Sequence, residues 1–429
     1  MAAAAPVVIV GASLAGHRAA QAIRGTGHDG ELVVLGQEAH APYTRPPLSK
    51  ELLAGAQEAD ACALRPADLD VTWRLGERAV GLDLEARRVM LDDGEPLAFA
   101  KLLVATGCRP RPWPSGPIDL EGVFLLREID DALRLRAALG RAERVAIVGA
   151  GFIGCEVAAT ARRLGLEVTL VDVAPQPMPA LGPEMGARCA RLHAAHGVDL
   201  RLGTGVAGFE GANGRLTAVV LDGGEHVEAD VALVALGAVP NTEWLAGSGL
   251  ELQPGVVCDA TLAAVGAEGV FCAGDVAAWP HPLADDELVR IEHWTNAAEQ
   301  GAAAGRNLVA DPGERTPYES VPSFWSDQYD VKIQSVGFPG RARRVRVLEA
   351  SEDGSRFVAT GKRDGRLVAA MGFGAARRLP WYRGQVGLRA PIEEVAEAVA
   401  ADPKAFGPPP ADTAEGAVER RALVEREAL

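Results

Sequence analysis

The stretch Val145 to Asp172, VAIVGAGFIGCEVAATARRLGLEVTLVD, leaves this chain few ways to fold. Four apolar residues that read as a buried strand run into Gly149-Ala-Gly151-Phe-Ile-Gly154. Small and apolar residues then alternate to Gly165, and a second strand closes on Asp172. This is a strand–helix–strand unit around a strict GxGxxG turn. The first glycine permits the tight turn, the second lets a pyrophosphate approach bare backbone at a helix N-terminus, and the third lets helix and strand pack closely. Asp172, 18 residues past Gly154, stands where a carboxylate accepts hydrogen bonds from adenosine ribose hydroxyls. A Gly-rich turn with no ligand is the alternative, and the flanking strand, helix and acid weigh against it.

The pattern occurs twice. Val7 to Gly27, VVIVGASLAGHRAAQAIRGTG, sets Gly11, Gly16 and Gly27 at a constant 138 residues from Gly149, Gly154 and Gly165. Ser13 replaces the second glycine; its Cβ crowds the phosphates slightly while its hydroxyl can donate to them. The second strand here, Glu31 to Leu35, puts Gly36 opposite Asp172, with Gln37 and Glu38 just beyond. Either can meet a ribose, and a solvated loop carboxylate is the alternative for Glu38. Each repeat later reaches an apolar strand ending in a small turn, Leu102 to Gly107 and Ala232 to Gly237, with short hairpins between. Val270-Phe-Cys-Ala-Gly274-Asp275 is a further such strand; Asp275 can accept from polyol hydroxyls or be a plain turn aspartate. In Arg290 to Gly301, Thr295 or Asn296 is expected to cap a helix running through Asn307.

Two dinucleotide clefts imply two dinucleotides exchanging a hydride. The expected fold class is α/β: two Rossmann-like domains, one inserted in the other, plus a small C-terminal α+β domain. The expected boundaries are residues 1–112 and 241–319 for the first, 113–240 for the second, 320–407 for the C-terminal domain and 408–429 for a tail with a short surface helix. Arg109-Pro-Arg-Pro-Trp-Pro114 reads as the crossing between domains.

Composition narrows the partners. A net charge of −15 argues against nucleic acid or an anionic membrane. The six cysteines are scattered without CxxC or metal-like spacing, which suits a reducing cytosol and a site without metal. The uncharged opening MAAAAPVVIVGASLAG lacks a basic n-region and already holds a glycine turn, so it reads as mature protein. Residues 320–390 invert the balance, with thirteen Lys and Arg against six Asp and Glu. Arg341, Arg343, Arg344, Arg346, Arg377, Arg378 and Arg383 dominate. Such a face can steer an acidic partner, ordinary solvated arginines being the alternative.

With Tyr43-Thr-Arg-Pro-Pro-Leu-Ser-Lys50, LVATG, VGAGFIGCE, AGDV, RIEHWTNAAEQG and Phe324-Trp-Ser-Asp-Gln-Tyr329 assembled, nearly the whole chain resembles the flavin-dependent, NADH-linked ferredoxin reductases of bacterial oxygenase systems, the putidaredoxin-reductase and biphenyl-dioxygenase-reductase type. The resemblance implies FAD in the first cleft, NADH in the second and a C-terminal domain completing the flavin pocket. It further implies hydride transfer to flavin N5, then single electrons to a small ferredoxin docked on the basic C-terminal face of a monomer or homodimer. Ala15, Lys50, Val80, Arg127, Asp275 and Trp294 look like FAD contacts, joined by Leu14, Arg45, Thr106, Gly107, Gly274, Glu292 and Trp325. Gln37 stands where relatives often have an acid, and Ser323 where they carry a second tryptophan. Phe152, Ile153 and Gly237 join the glycine turn and Asp172 on the NADH side, and Asp172 would repel a 2′-phosphate.

Lys50 and Glu156 are the candidate catalytic residues, expected as a buried ion pair reaching the flavin edge from the two dinucleotide domains. Glu156 is expected inside the first turn of its helix, where the positive helix end favours it. A surface lysine is the alternative for Lys50. One rival, an NADH-dependent disulfide reductase, oxidase or peroxidase, needs a cysteine beside the flavin, and Gln37 to Lys50 holds none. A second rival is a flavoprotein that signals or scaffolds when reduced.

Overall fold

A computed structural model describes residues 5–64, 69–116, 118–402 and 404–407. The expected tail, 408–429, lies outside the described residues. Two compact units divide the chain. One comprises 1–46, 59–109 and 238–322; the other comprises 47–58, 110–237 and 323–429.

The first unit is built on a parallel sheet in the order Val270–Cys272, Lys101–Val104, Val7–Val10, Leu32–Gly36, Thr72–Leu75. Its central strands are buried on both faces, which is why they read as unbroken Val, Ile and Leu runs. The helix Leu14–Gly25 packs against Trp294–Val309 through very small side chains. A Cβ at Gly301 would lie 2.3 Å from the Ala15 carbonyl oxygen, and one at Gly305 would lie 2.6 Å from that of Ala19. That second helix begins at Trp294, with His293 as its N-cap. Neither Thr295 nor Asn296 caps it: the Asn296 amide is buried and donates to the Ile291 carbonyl at 3.1 Å, which makes it an interior anchor.

In the second unit the parallel sheet runs Asp199–Leu202, Glu167–Asp172, Arg144–Val148, Val231–Val234, Val123–Phe124. Its first four strands repeat the order of their counterparts in the first unit, as the duplicated sequence requires. The same unit holds an antiparallel sheet ordered Ser323–Gln328, Val331–Gly337, Arg366–Phe373, Phe357–Arg363, Arg344–Ala350, followed by helices Leu379–Gly387 and Ile392–Ala401. The α/β class with an added α+β part is therefore what the chain adopts.

Within this last region Glu349 has no exposed surface. It accepts hydrogen bonds from Arg378 Nε at 3.0 Å, from the Tyr382 hydroxyl at 2.8 Å and from the Phe406 amide at 3.0 Å. Arg378 also meets Asp402 at 2.7 Å. This arginine is a partly buried structural cation, its guanidinium spent on Glu349 and Asp402 rather than on a basic face.

Candidate functional site

Each glycine turn separates what the fold needs from what a ligand would need. Gly11 sits at φ 121° and Gly149 at φ 108°. A Cβ on either would lie 2.1 or 2.3 Å from a carbonyl oxygen, of Ala105 or Ala235 respectively. A Cβ on Gly16 or Gly154 would lie 1.9 Å from the oxygen of Gly11 or Gly149. These four positions admit only glycine. Gly151 is different: a Cβ there would meet nothing within 4 Å. The chain's own packing gives no reason for glycine at this N-cap, whereas an anion approaching the backbone does.

Both turn helices, Leu14–Gly25 and Phe152–Arg163, lack a side-chain N-cap bond and any acid in the first turn. Their first N–H groups suit a pyrophosphate. Ser13 is the N-cap of the first, and its hydroxyl is not spent on capping; Leu14, Ala15 and Gly16 behind it are buried. At the rim of the second turn Ile153 is 39 % and Val173 75 % exposed, an apolar surface that a bound nucleotide would cover.

Asp172 Oδ2 accepts the Ala150 N–H at 2.5 Å and Oδ1 the Ala174 N–H at 2.7 Å. The carboxylate is thereby fixed between the glycine turn and the next loop, with lone pairs remaining for a ribose. Pairing of Val10 with Leu35 and of Val148 with Val171 puts Gly36 at the matching place in the first unit, as expected from the sequence. A Cβ at Gly36 would lie 2.5 Å from the Ala12 Cβ. The acid of that unit is Glu38, which accepts from Arg45 at 2.6 Å and from the Tyr43 hydroxyl. Glu38 is thus clamped rather than a solvated loop carboxylate, while Gln37 is exposed.

Gly274 and Asp275 lie against the first turn helix: a Cβ on Gly274 would be 3.0 Å from that of Ala15. The Gly274 N–H donates to Gln300 at 2.7 Å, and buried Asp275 accepts from the Cys108 thiol at 3.0 Å. Thr106 is engaged twice with Asn241, by its hydroxyl at 2.9 Å and its carbonyl at 2.8 Å, and Gly107 follows at φ 64°. Trp294 donates its indole N–H to Thr44 at 3.0 Å, and Glu292 pairs with Arg290 at 2.7 Å. Val80 is 47 % exposed on the strand Ala79–Asp83, part of a separate three-stranded sheet.

In the second unit Lys50 Nζ lies 2.8 Å from Glu156 Oε2, with side chains 10 % and 8 % exposed. The segment 47–58 groups with the second unit, so the two partners belong to one compact body and not to one dinucleotide unit each. Glu156 is the fifth residue of its helix, in the second turn and not the first, because Gly151 is the cap. The helix end helps it little at that depth. Side chains stabilise it instead: besides Lys50, the hydroxyls of Ser49 and of Ser326, at 2.8 Å, donate to the carboxylate. Neither serine was singled out by sequence, although each lies within a motif, RPPLSK and FWSDQY. Phe152 packs edge-on against Phe324 at 4.5 Å, and Lys332 sits 5.9 Å above the Trp325 ring. The Arg127 amide donates to Asp131 at the head of helix Ile129–Leu139, and Gly237 adopts φ 86°.

Residues 5–301 match the pyridine nucleotide-disulphide oxidoreductase family, and residues 323–405 match the reductase C-terminal family. The chain belongs to the pyridine nucleotide-disulphide oxidoreductases. It is similar to the anthranilate 1,2-dioxygenase system ferredoxin–NAD(+) reductase component of Burkholderia cepacia, 39% identical over 391 residues that span 87% of this chain and 93% of that protein. It is likewise similar to the biphenyl dioxygenase system ferredoxin–NAD(+) reductase component of Paraburkholderia xenovorans, 35% identical over 395 residues covering 90% and 94%. Among solved structures, the covalent putidaredoxin reductase–putidaredoxin complex superposes with a TM-score of 0.86 at 30% identity, covering 93% of this chain and all of the matched one.

FAD and NAD(H) go with this membership, and the bare Gly151 backbone, the uncapped helix ends and the two held carboxylates fit a pair of dinucleotides. The disulphide in the family's name has no counterpart near Lys50. All six cysteines are buried thiols, none of them in a disulphide. Burial pushes the Cys155 thiol well above its ordinary range and that of Cys189 up to about 12, so both stay protonated and unreactive. Among the described residues no helix is long and apolar enough to cross a membrane.

Proposed function

We propose that this oxidoreductase carries electrons from NADH through FAD to a small iron–sulfur ferredoxin that feeds an oxygenase. When bound, FAD supplies a ring that accepts two electrons with a hydride and releases them one at a time. The chain's own residues bind and orient. The 149–154 turn holds the NADH pyrophosphate, Asp172 its adenosine ribose, and the 11–16 turn with Glu38 and Asp275 the FAD. The observation that carries the reading is the buried Lys50–Glu156 pair on the helix that starts at the NADH turn. An ammonium held there stabilises negative charge arriving on the flavin, and Glu156 fixes its direction.

Arg344 and Arg346 are the outward residues of the edge strand Arg344–Ala350 and form the core of our proposed ferredoxin-docking face. Arg343 is paired with Asp364 at 2.7 Å and is secondary. Buried cysteines held as thiols support a cytoplasmic setting. The test is NADH-dependent reduction of several acidic ferredoxins by the purified flavoprotein. Rapid turnover with at least one supports the proposal. Slow flavin reduction with a long-lived charge-transfer complex and no ferredoxin turnover overturns it in favour of a signalling role.

A further inference from the structure

Behind Glu156 the second unit contains an unbroken line of buried polar side chains. The Ser326 hydroxyl donates to Glu156 Oε1 at 2.8 Å, and Gln328 Nε2 lies 3.1 Å from Ser326 Oγ and 3.7 Å from Met178 Sδ. Gln328 Oε1 is 3.0 Å from His193 Nε2, and His193 Nδ1 is 3.0 Å from the Tyr329 hydroxyl. Ser326, Gln328 and His193 have no exposed surface. Tyr329 takes the uncommon φ of 57° at the tip of a hairpin and stacks on His196 with ring centroids 3.6 Å apart. A bulky residue in that backbone region is held there by its surroundings.

Only one set of proton positions satisfies this line. A carboxylate only accepts, so Ser326 must donate to Glu156 and accept from the next group. That group is then the Gln328 amide nitrogen, whose other neighbour, the Met178 sulfur, is also an acceptor. The Gln328 oxygen consequently accepts from His193 Nε2–H, and the bare Nδ1 accepts from the Tyr329 hydroxyl. Burial lowers the His193 pKa to about 4, so the ring is neutral, as one donor and one acceptor require. The amide in the middle is a poor proton conductor, so the line orients charge and does not relay protons. His196, Cys155, Cys189, Arg162 and Arg163 surround its far half.

We propose that Ser326, Gln328, His193 and Tyr329 are positioning residues whose donors all point toward Glu156, fixing its carboxylate and, through it, the Lys50 ammonium. Serial donation of this kind polarises each successive bond. The inference deepens the assignment of Lys50 to the flavin edge and rests on it for its catalytic consequence only.

The test uses the holoprotein with nitrogen-15 labelled histidine and lysine. Wild type is expected to show His193 protonated on Nε2 and bare on Nδ1 near neutral pH. Gln328→Met keeps the volume and breaks the line; it should abolish that preference and speed hydrogen exchange of the Lys50 ammonium about tenfold. Flavin reduction in stopped flow should slow about fivefold, and that loss should vanish in a Glu156→Gln background. Tyr329→Phe, which retains the stacked ring, should act in the same direction more weakly. An Nδ1–H tautomer in wild type, an unchanged Lys50 signal, or losses that simply add to those of Glu156→Gln overturn the proposal. A changed Lys50 signal with a wild-type flavin reduction rate leaves the line standing and removes Lys50 from the flavin edge.

Discussion

Lys50 and Glu156, 106 residues apart in sequence, meet at 2.8 Å in one buried ion pair. Removing one partner leaves the other charged and desolvated. Lys50→Ala is expected to cost about 3 kcal/mol in urea unfolding, softened by the Ser49 and Ser326 hydroxyls. It is also expected to slow flavin reduction by NADH at least tenfold in stopped flow; a wild-type rate would retire its proposed role.

In the proposed reading, coenzyme preference is set at the end of the strand Glu167–Asp172. Asp172→Ala with Val173→Arg removes the group that repels a 2′-phosphate and adds one that binds it, so NADPH should gain on NADH in kcat/KM. Because Asp172 also accepts the Ala150 and Ala174 amides, the variant should lose about 1 kcal/mol of stability. Unchanged selectivity with lowered stability would mean that the carboxylate serves only the fold.

Gly151 and Gly154 should respond oppositely to the same methyl group. Gly154→Ala drives a Cβ into the Gly149 carbonyl and should prevent normal folding. Gly151→Ala meets open space, so its thermal midpoint should stay close to wild type while the KM for NADH rises several-fold. An unaltered KM would place the pyrophosphate elsewhere.

Arg344→Gln with Arg346→Gln should weaken ferredoxin turnover and flatten its salt dependence while sparing ferricyanide reduction. Equal losses with both acceptors would point to a damaged fold. Arg378→Gln is the contrasting control: it strands Glu349 in the core, so stability should fall and both acceptors suffer together.

Burial holds both His193 and His293 near a pKa of about 4, against 6.5 for the free side chain. The unfolded chain binds these protons more readily, so the stabilisation is complete above pH ~6.5 and is lost as pH falls toward ~4. His193→Gln should flatten the dependence of the unfolding midpoint on pH across that window. A slope equal to wild type would show that His193 does not titrate on unfolding.

Much of this was legible in the chain. The duplicated glycine turns, the acid at 172 and the missing acid at 36 follow from local spacing, while the partnership of residues 50 and 156 is what the family resemblance carried by RPPLSK and VGAGFIGCE implies. What escaped sequence reading depends on contacts between distant segments. Ser326 reaches Glu156 across 170 residues and Gln328 reaches His193 across 135, and neither leaves a periodic trace. Arg378 reads as one more basic residue until Glu349, an ordinary-looking strand position, turns out to face inward. Asn296 has the chemistry of a helix cap, but its amide is taken up by the Ile291 carbonyl, so the helix starts earlier.

The crowding of Gly36 by Ala12 bears on how the two halves of the molecule diverged. If they descend from one ancestral nucleotide binder, the amino-terminal copy has since closed its turn and its Leu75 side chain over the end of its second strand, whereas the other copy keeps room for Asp172 beside Ala150, the counterpart of Ala12. Regaining a carboxylate there takes a shift of that turn as well as a substitution at residue 36, so exchanging one residue does not convert one half into the other.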